Sequence, residues 1–255
     1  MLRGFTPPYT ASGKSSLLRP PPWHFAGQVL SLAFEVSAAA AERLLPTGLQ
    51  ATGAAAAHFC EWQATTDGSE LLDPVYAQYK EFFILLATEH EGENVFYCPF
   101  IYVDQDVSMV RGWLQGWPKK LGSIWMTRSY GVDHPAAAPL RKQTQLGASL
   151  AVKDRRLAET VITLTGETVA PIGFLATPTL ALAGSPSLIG IPDPGERKLL
   201  RAAVSQKVAG VSHGAAGSMR LFESPRDELS VLHPKAMKVA SLTTVALSVT
   251  GAVAV

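Results

Sequence analysis

The sequence predicts a mainly-β fold, a barrel or paired sheets, on three observations. Runs rich in β-branched and aromatic residues recur along the 255 residues. Candidate helices are few and short. No repeat period and no linker between composition regimes divides the chain. A chain of this length removes roughly 72% of its unfolded surface from water on folding. With 47% hydrophobic and 17% charged residues it is too apolar to stay disordered.

The elements follow in order. Pro7, Pro8, Pro20, Pro21 and Pro22 predict an extended arm over residues 1–22, ahead of a single domain over 23–255. Residues 28–36 form a strand. Ser37 caps a helix over 38–45, which Pro46 and Gly48 end. Residues 54–65, 78–88 and 93–103 are strands, with hairpin signals at Asp67-Gly68 and His90–Gly92. Asp106 opens a helix that runs to about Gln115 and is stopped by Gly116 and Pro118. Residues 122–130 form a strand, and 142–152 and 157–169 a strand pair turning near Asp154-Arg155. The stretch 170–195 carries five prolines and reads as loop. A short helix is expected over 196–204, and strands over 217–223 and 238–249.

Composition excludes several classes. Twenty-two Lys plus Arg against 21 Asp plus Glu leave a net charge of +1, and aromatic residues do not interleave with basic patches. No nucleic-acid partner is expected. Cys60 and Cys98 are too few for a disulfide scaffold and read as buried thiols. The N-terminal MLRGFTPPYT has no signal-peptide apolar run. Residues 239–255 are uncharged, but Ser241, Thr243, Thr244, Ser248, Thr250 and Gly251 make a buried strand the better reading than a membrane anchor. A soluble cytoplasmic protein without a membrane partner follows as the expectation. Gly13-Lys14-Ser15 lacks the earlier glycine and strand of a phosphate loop. Gly147-Ala148-Ser149 lacks the closing glycine of a nucleophile elbow. The six histidines are scattered, none at ligand spacing, so no metal is expected.

One segment stands apart: Gly116-Trp117-Pro118-Lys119-Lys120-Leu121-Gly122. Two lysines follow a Trp-Pro that ends an apolar helix, and they precede a core-facing strand. A solvated charge pair in a turn is one reading. A lysine in a dry pocket is the other. An ordinary ammonium, with a pKa of about 10.4, is not nucleophilic at neutral pH. Desolvation or a second cation frees an amine to add to a ketone, and the iminium that forms is an electron sink.

Tyr102-Val103-Asp104-x-Asp106, a helix, and then this segment resemble the acetoacetate decarboxylase-like superfamily. Leu44-Leu45-Pro46-Thr47-Gly48-Leu49, Tyr79-Lys80-Glu81 and Met219-Arg220-Leu221 extend the resemblance over nearly the whole chain. It implies a mixed, largely antiparallel β-barrel or cone-like sheet with a few helices, assembled as a homo-oligomer. It makes Lys119 the Schiff-base lysine, with Lys120 as its neighbour on the substrate-binding side. Glu81 becomes the residue for proton transfer or substrate orientation. Gln115, four residues before Lys119, is placed to meet a carboxylate or aldehyde oxygen. Tyr79, Trp113 and Trp117 are expected beside a small oxo-acid substrate. No cofactor is implied, because the imine accepts the electrons.

The resemblance also has gaps. The family's decarboxylases carry an early arginine, and residues 26–29 here read Ala-Gly-Gln-Val. Its Gly-Arg-Glu is replaced by Arg111-Gly112-Trp113, with the arginine one residue early. The missing arginine, with Gln115 present, favours aldol condensation and dehydration of pyruvate with an aldehyde. Decarboxylation of a 3-oxo acid and a non-catalytic binding barrel are the alternatives.

Overall fold

The computed structural model describes residues 1–184 and 196–255. Eleven strands form one sheet: β1 (Trp23–Glu35), β2 (Gln50–Thr65), β3 (Gln78–His90), β4 (Glu93–Val103), β5 (Lys119–Leu121), β6 (Ser123–Met126), β7 (Gln145–Val152), β8 (Arg155–Thr168), β9 (Thr179–Ala183), β10 (Lys198–Leu221) and β11 (Ala236–Ala254). Among the described residues three short α-helices accompany them: α1 (Ala38–Glu42), α2 (Pro74–Ala77) and α3 (Asp106–Leu114). The strand order is β11-β1-β2-β3-β4-β9-β10-β8-β7-β6. A further pairing of β10 with β11 closes the ring, and β5 lies beside β4. Among the described residues only β4–β5 and β4–β9 pair in parallel. The mixed, largely antiparallel barrel expected from the sequence is what forms, and closure leaves few strand edges unpaired.

The central strands are buried on both faces, so residue parity sorts the chain into two cores. Along β3, Phe82, Ile84 and Leu86 join Leu30, Leu32, Phe34, Phe59 and Tyr102 on one face. Tyr79, Phe83 and Leu85 join Val29, Cys60, Trp62, Ile101 and Val103 on the other. Each fully buried Leu, Ile or Phe contributes about 1.5–3 kcal/mol. Cys60 and Cys98 are buried free thiols, as expected.

Four expectations require correction. Of residues 196–204, rich in helix formers, 198–204 belong instead to β10, whose 24 residues pair with β9, β8 and β11. Backbone pairing on both sides outweighs a helix propensity of only a few tenths of a kcal/mol per residue. Breaks in the β10–β11 register fall between Ala203/Val204, Ser205/Val208 and Ala209/Ser212. The helix over 38–45 stops at Glu42, and Ser37 makes no side-chain cap. The arm over residues 1–22 folds back on itself rather than extending. Arg3 bridges Thr10, and Ser16 Oγ accepts from Thr6 N at 2.9 Å and donates to Leu18 O at 2.7 Å. The expected loop over 170–195 contains β9, and its residues 185–195 lie outside those described. No helix among the described residues is long and apolar enough to cross a membrane.

Candidate active site

Parity on two neighbouring strands builds the site. Lys119 on β5 is registered with Ile101 on β4, and Lys120 with Tyr102. Register partners face the same side, so Lys119 enters the Ile101 core while Lys120 leaves toward Tyr102. On β3, Tyr79 and Glu81 are two residues apart and point to the face that Lys119 enters. Lys119 is only 8% exposed. Its Nζ donates to Glu81 Oε2 at 2.6 Å and to Ser108 Oγ at 3.1 Å, and lies 5.6 Å from the centre of the Tyr79 ring.

Helix α3 is shaped around this side chain. A Cβ at Gly112 would lie 2.3 Å from Lys119 Cδ and 2.6 Å from Cε, so the lysine stem crosses the helix where only glycine leaves room. Gly116, at φ +84, then reverses the chain. Trp117 N donates back to Gly112 O at 3.0 Å, and Pro118 leads directly into β5.

Lys119, Glu81, Tyr79, Gln115 and Trp117 all line one cavity of about 430 Å³. Phe25, Trp62, Phe83 and Phe174 supply its apolar wall. Gln115 is the C-cap of α3, and the turn at Gly116, rather than a further helical turn, separates it from Lys119. Its Nε2 donates to Arg111 O at 3.0 Å. Burial, and then the charge of Glu81, push the Tyr79 phenol well above its ordinary pKa, so it stays a proton donor.

Two of the expected substrate-binding residues lie elsewhere. Lys120 is half-exposed on the opposite face and pairs with the buried carboxylate of Asp227, which Tyr102 Oη also meets at 2.6 Å. Strand alternation puts it there. Trp113 is 53% exposed, and its Nε1 donates to the Lys119 carbonyl at 2.8 Å. It lies two positions beyond Arg111, about 200° around the helix, and braces β5 from outside.

Of two further residues at the site, the sequence does not single out Ser108 and offers Arg111 without a direction. Ser108 is fully buried under the lysine amine, and Arg111 is 8% exposed and lines the cavity. Ser108, Arg111 and Gln115 are spaced i, i+3 and i+7. That polar stripe in an apolar segment is the signal for a helix face turned to a site.

Behind the aromatic wall, the His58 ring packs 4.8 Å from Phe83 and 5.0 Å from Phe174, with Nδ1 2.9 Å from Ser31 Oγ. Full burial lowers its pKa to about 3, from an ordinary 6.5. The folded ring therefore resists a proton that the unfolded chain takes up near 6.5. Stability is complete above that pH, falls as the pH drops through it, and stops falling near 3. The loss between pH 7 and pH 5 is expected to be about 2 kcal/mol from this group. Urea titrations at the two pH values test it. His58→Gln should flatten the difference, and an unchanged pH dependence would remove His58 as its source.

A closed mixed sheet with a buried lysine–carboxylate pair at the base of an apolar cavity defines an acetoacetate decarboxylase-like enzyme. The chain belongs to that family: the sequence model described as acetoacetate decarboxylase (ADC) matches residues 6–255. No curated protein matches it. Among solved structures it is 32% identical to the enduracididine biosynthesis enzyme MppR with HEPES buffer bound, at a TM-score of 0.94, with 100% of this chain and 95% of that chain covered. The MppR complex with pyruvate gives 0.93 at 32% identity, covering 100% of this chain and 98% of that chain. An acetoacetate decarboxylase-like enzyme from Sphingomonas wittichii RW1 has the same fold, with a TM-score of 0.90 at 23% identity and 99% and 100% of the two chains covered.

Proposed function

We propose that the protein is a Schiff-base lyase that condenses pyruvate with an aldehyde and eliminates water. The observation that carries the reading is the Lys119 amine, buried at the base of an apolar cavity with Glu81 Oε2 2.6 Å away. Support also comes from the 32%-identical MppR, seen with the condensation product of pyruvate and imidazole 4-carboxaldehyde.

Glu81 takes a proton from the lysine along their hydrogen bond, and the amine adds to C2 of the oxo acid. Loss of water gives the iminium. Removal of a C3 proton gives the enamine, which attacks the aldehyde carbon while the alkoxide formed takes up a proton. A second C3 proton and the hydroxyl then leave, together making water. Hydrolysis of the conjugated iminium releases the unsaturated oxo acid and restores the amine. No electrons are gained or lost overall. Glu81 is the only carboxylate among the cavity-lining residues described, which makes it the candidate proton carrier. Gln115 and the Tyr79 phenol are the candidate donors to the aldehyde oxygen.

Borohydride added with pyruvate is expected to fix the substrate's mass to Lys119, read by peptide mass spectrometry. Disappearance of an added aldehyde without CO2 release would mark condensation. CO2 release from a 3-oxo acid would turn the reading to decarboxylation. Absence of an adduct with any oxo acid would leave a binding barrel. The reading also takes the enzyme to be a cytoplasmic homo-oligomer, and a single-chain mass in solution would remove the oligomer.

A further inference from the structure

The cavity holds four cationic side chains, and three of them are engaged. Lys119 pairs with Glu81. Arg201 pairs with Glu93 at 2.6 Å. Lys207 Nζ donates to the carbonyl oxygens of Phe174, at 2.9 Å, and Leu175. The fourth is Arg111. Its side chain is 8% exposed, and neither its Nε nor its Nη1 has a partner among the described residues. The rings of Phe25 and Trp23 lie 5.4 and 5.8 Å from its guanidinium carbon. Those faces hold the plane of the guanidinium without using its hydrogen-bond donors.

A buried guanidinium with unused donors is costly unless an anion completes it. Its parallel N–H fork matches a carboxylate, whose two oxygens accept together. The backbone ties it to the reacting amine. Arg111 immediately precedes Gly112, against which the Lys119 stem packs, and both side chains line the same cavity.

We propose that Arg111 is the carboxylate-binding residue of this site, holding the acid group of the oxo acid while Lys119 meets its carbonyl. The inference rests on the Schiff-base reading for the role of the carbonyl, and on the guanidinium alone for the role of the acid. It makes ketones bearing an adjacent carboxylate the preferred first substrate, and leaves the corresponding esters to react at Lys119 without help from Arg111.

The test separates the two groups. Lactate has the carboxylate but no carbonyl, so its binding by calorimetry reads Arg111 without any adduct. Arg111→Met is expected to weaken lactate binding at least 30-fold, and Lys120→Ala, on the opposite face of β5, less than 3-fold. Borohydride trapping of pyruvate by Arg111→Met should need at least 30-fold more substrate, while trapping of methyl pyruvate stays within 3-fold of wild type. That ester result also shows that the variant keeps a folded site. If Arg111→Met does not fold, Arg111→Gln takes its place with the same expectations. Equal lactate binding by wild type and variant, no lactate binding by wild type, or parallel loss of pyruvate and ester trapping would each overturn the assignment. Failure of wild type to trap either carbonyl compound would instead sink the Schiff-base chemistry and leave the lactate result to judge Arg111.

Discussion

Lys119→Ala is expected to lower turnover by about four to six orders of magnitude, the scale seen when a covalent nucleophile is removed. It should also abolish the borohydride adduct. Lys120→Ala is the matched control. The two residues are adjacent, have the same side chain and share one three-residue strand, yet they face opposite cores. Lys120 is half-exposed, so its pairing with Asp227 contributes no more than about 1 kcal/mol. Asp227 keeps the Tyr102 hydroxyl at 2.6 Å and the Leu229 amide at 3.2 Å when that lysine is lost. The Lys120 variant should therefore retain the adduct, lose less than 10-fold in rate, and melt a few degrees lower. An adduct mapped to Lys120, or equal losses in the two variants, would reverse the roles.

The same pair shows what the sequence carries and what it does not. Glu81 and Tyr79 were legible through the resemblance of Tyr79-Lys80-Glu81 to the family, and alternation along β3 is the physical reason they share one face. The Pro-Lys-Lys segment was legible as a site, but the order of its lysines came from family resemblance. A three-residue strand has too few positions to display a period, and its facing depends on register with Ile101 and Tyr102. Trp113 was misplaced because its neighbours favoured a site, while the rotation of a nine-residue helix sent it outward. Arg111 was visible as a residue without a direction. Only Ser108 and Gln115, read with it as a stripe, would have fixed the helix face. The segment entering β10 failed for another reason: its Lys, Leu, Arg and Ala favour a helix locally, and strand partners distant in sequence decide against it.

Gly112→Ala tests whether the site depends on room beside the lysine. In the interior of α3, alanine is favoured over glycine by about 0.8–1 kcal/mol. The added Cβ, however, would fall 2.3 Å from Lys119 Cδ and 2.7 Å from Cγ. Those atoms belong to a flexible stem, so the side chain yields rather than the backbone, and the fold survives. What is lost is the position of Nζ, which now meets Glu81 Oε2 at 2.6 Å and Ser108 Oγ at 3.1 Å. A displacement of about 1 Å at a reacting atom costs on the order of 10²-fold in rate. We expect the rate of adduct formation with pyruvate to fall at least that far, while the melting temperature stays within a few degrees because the helix gain offsets the crowding. A variant that loses rate and stability together would show that the glycine serves packing of the helix. One that keeps wild-type rate would show that the lysine reaches its substrate by another path.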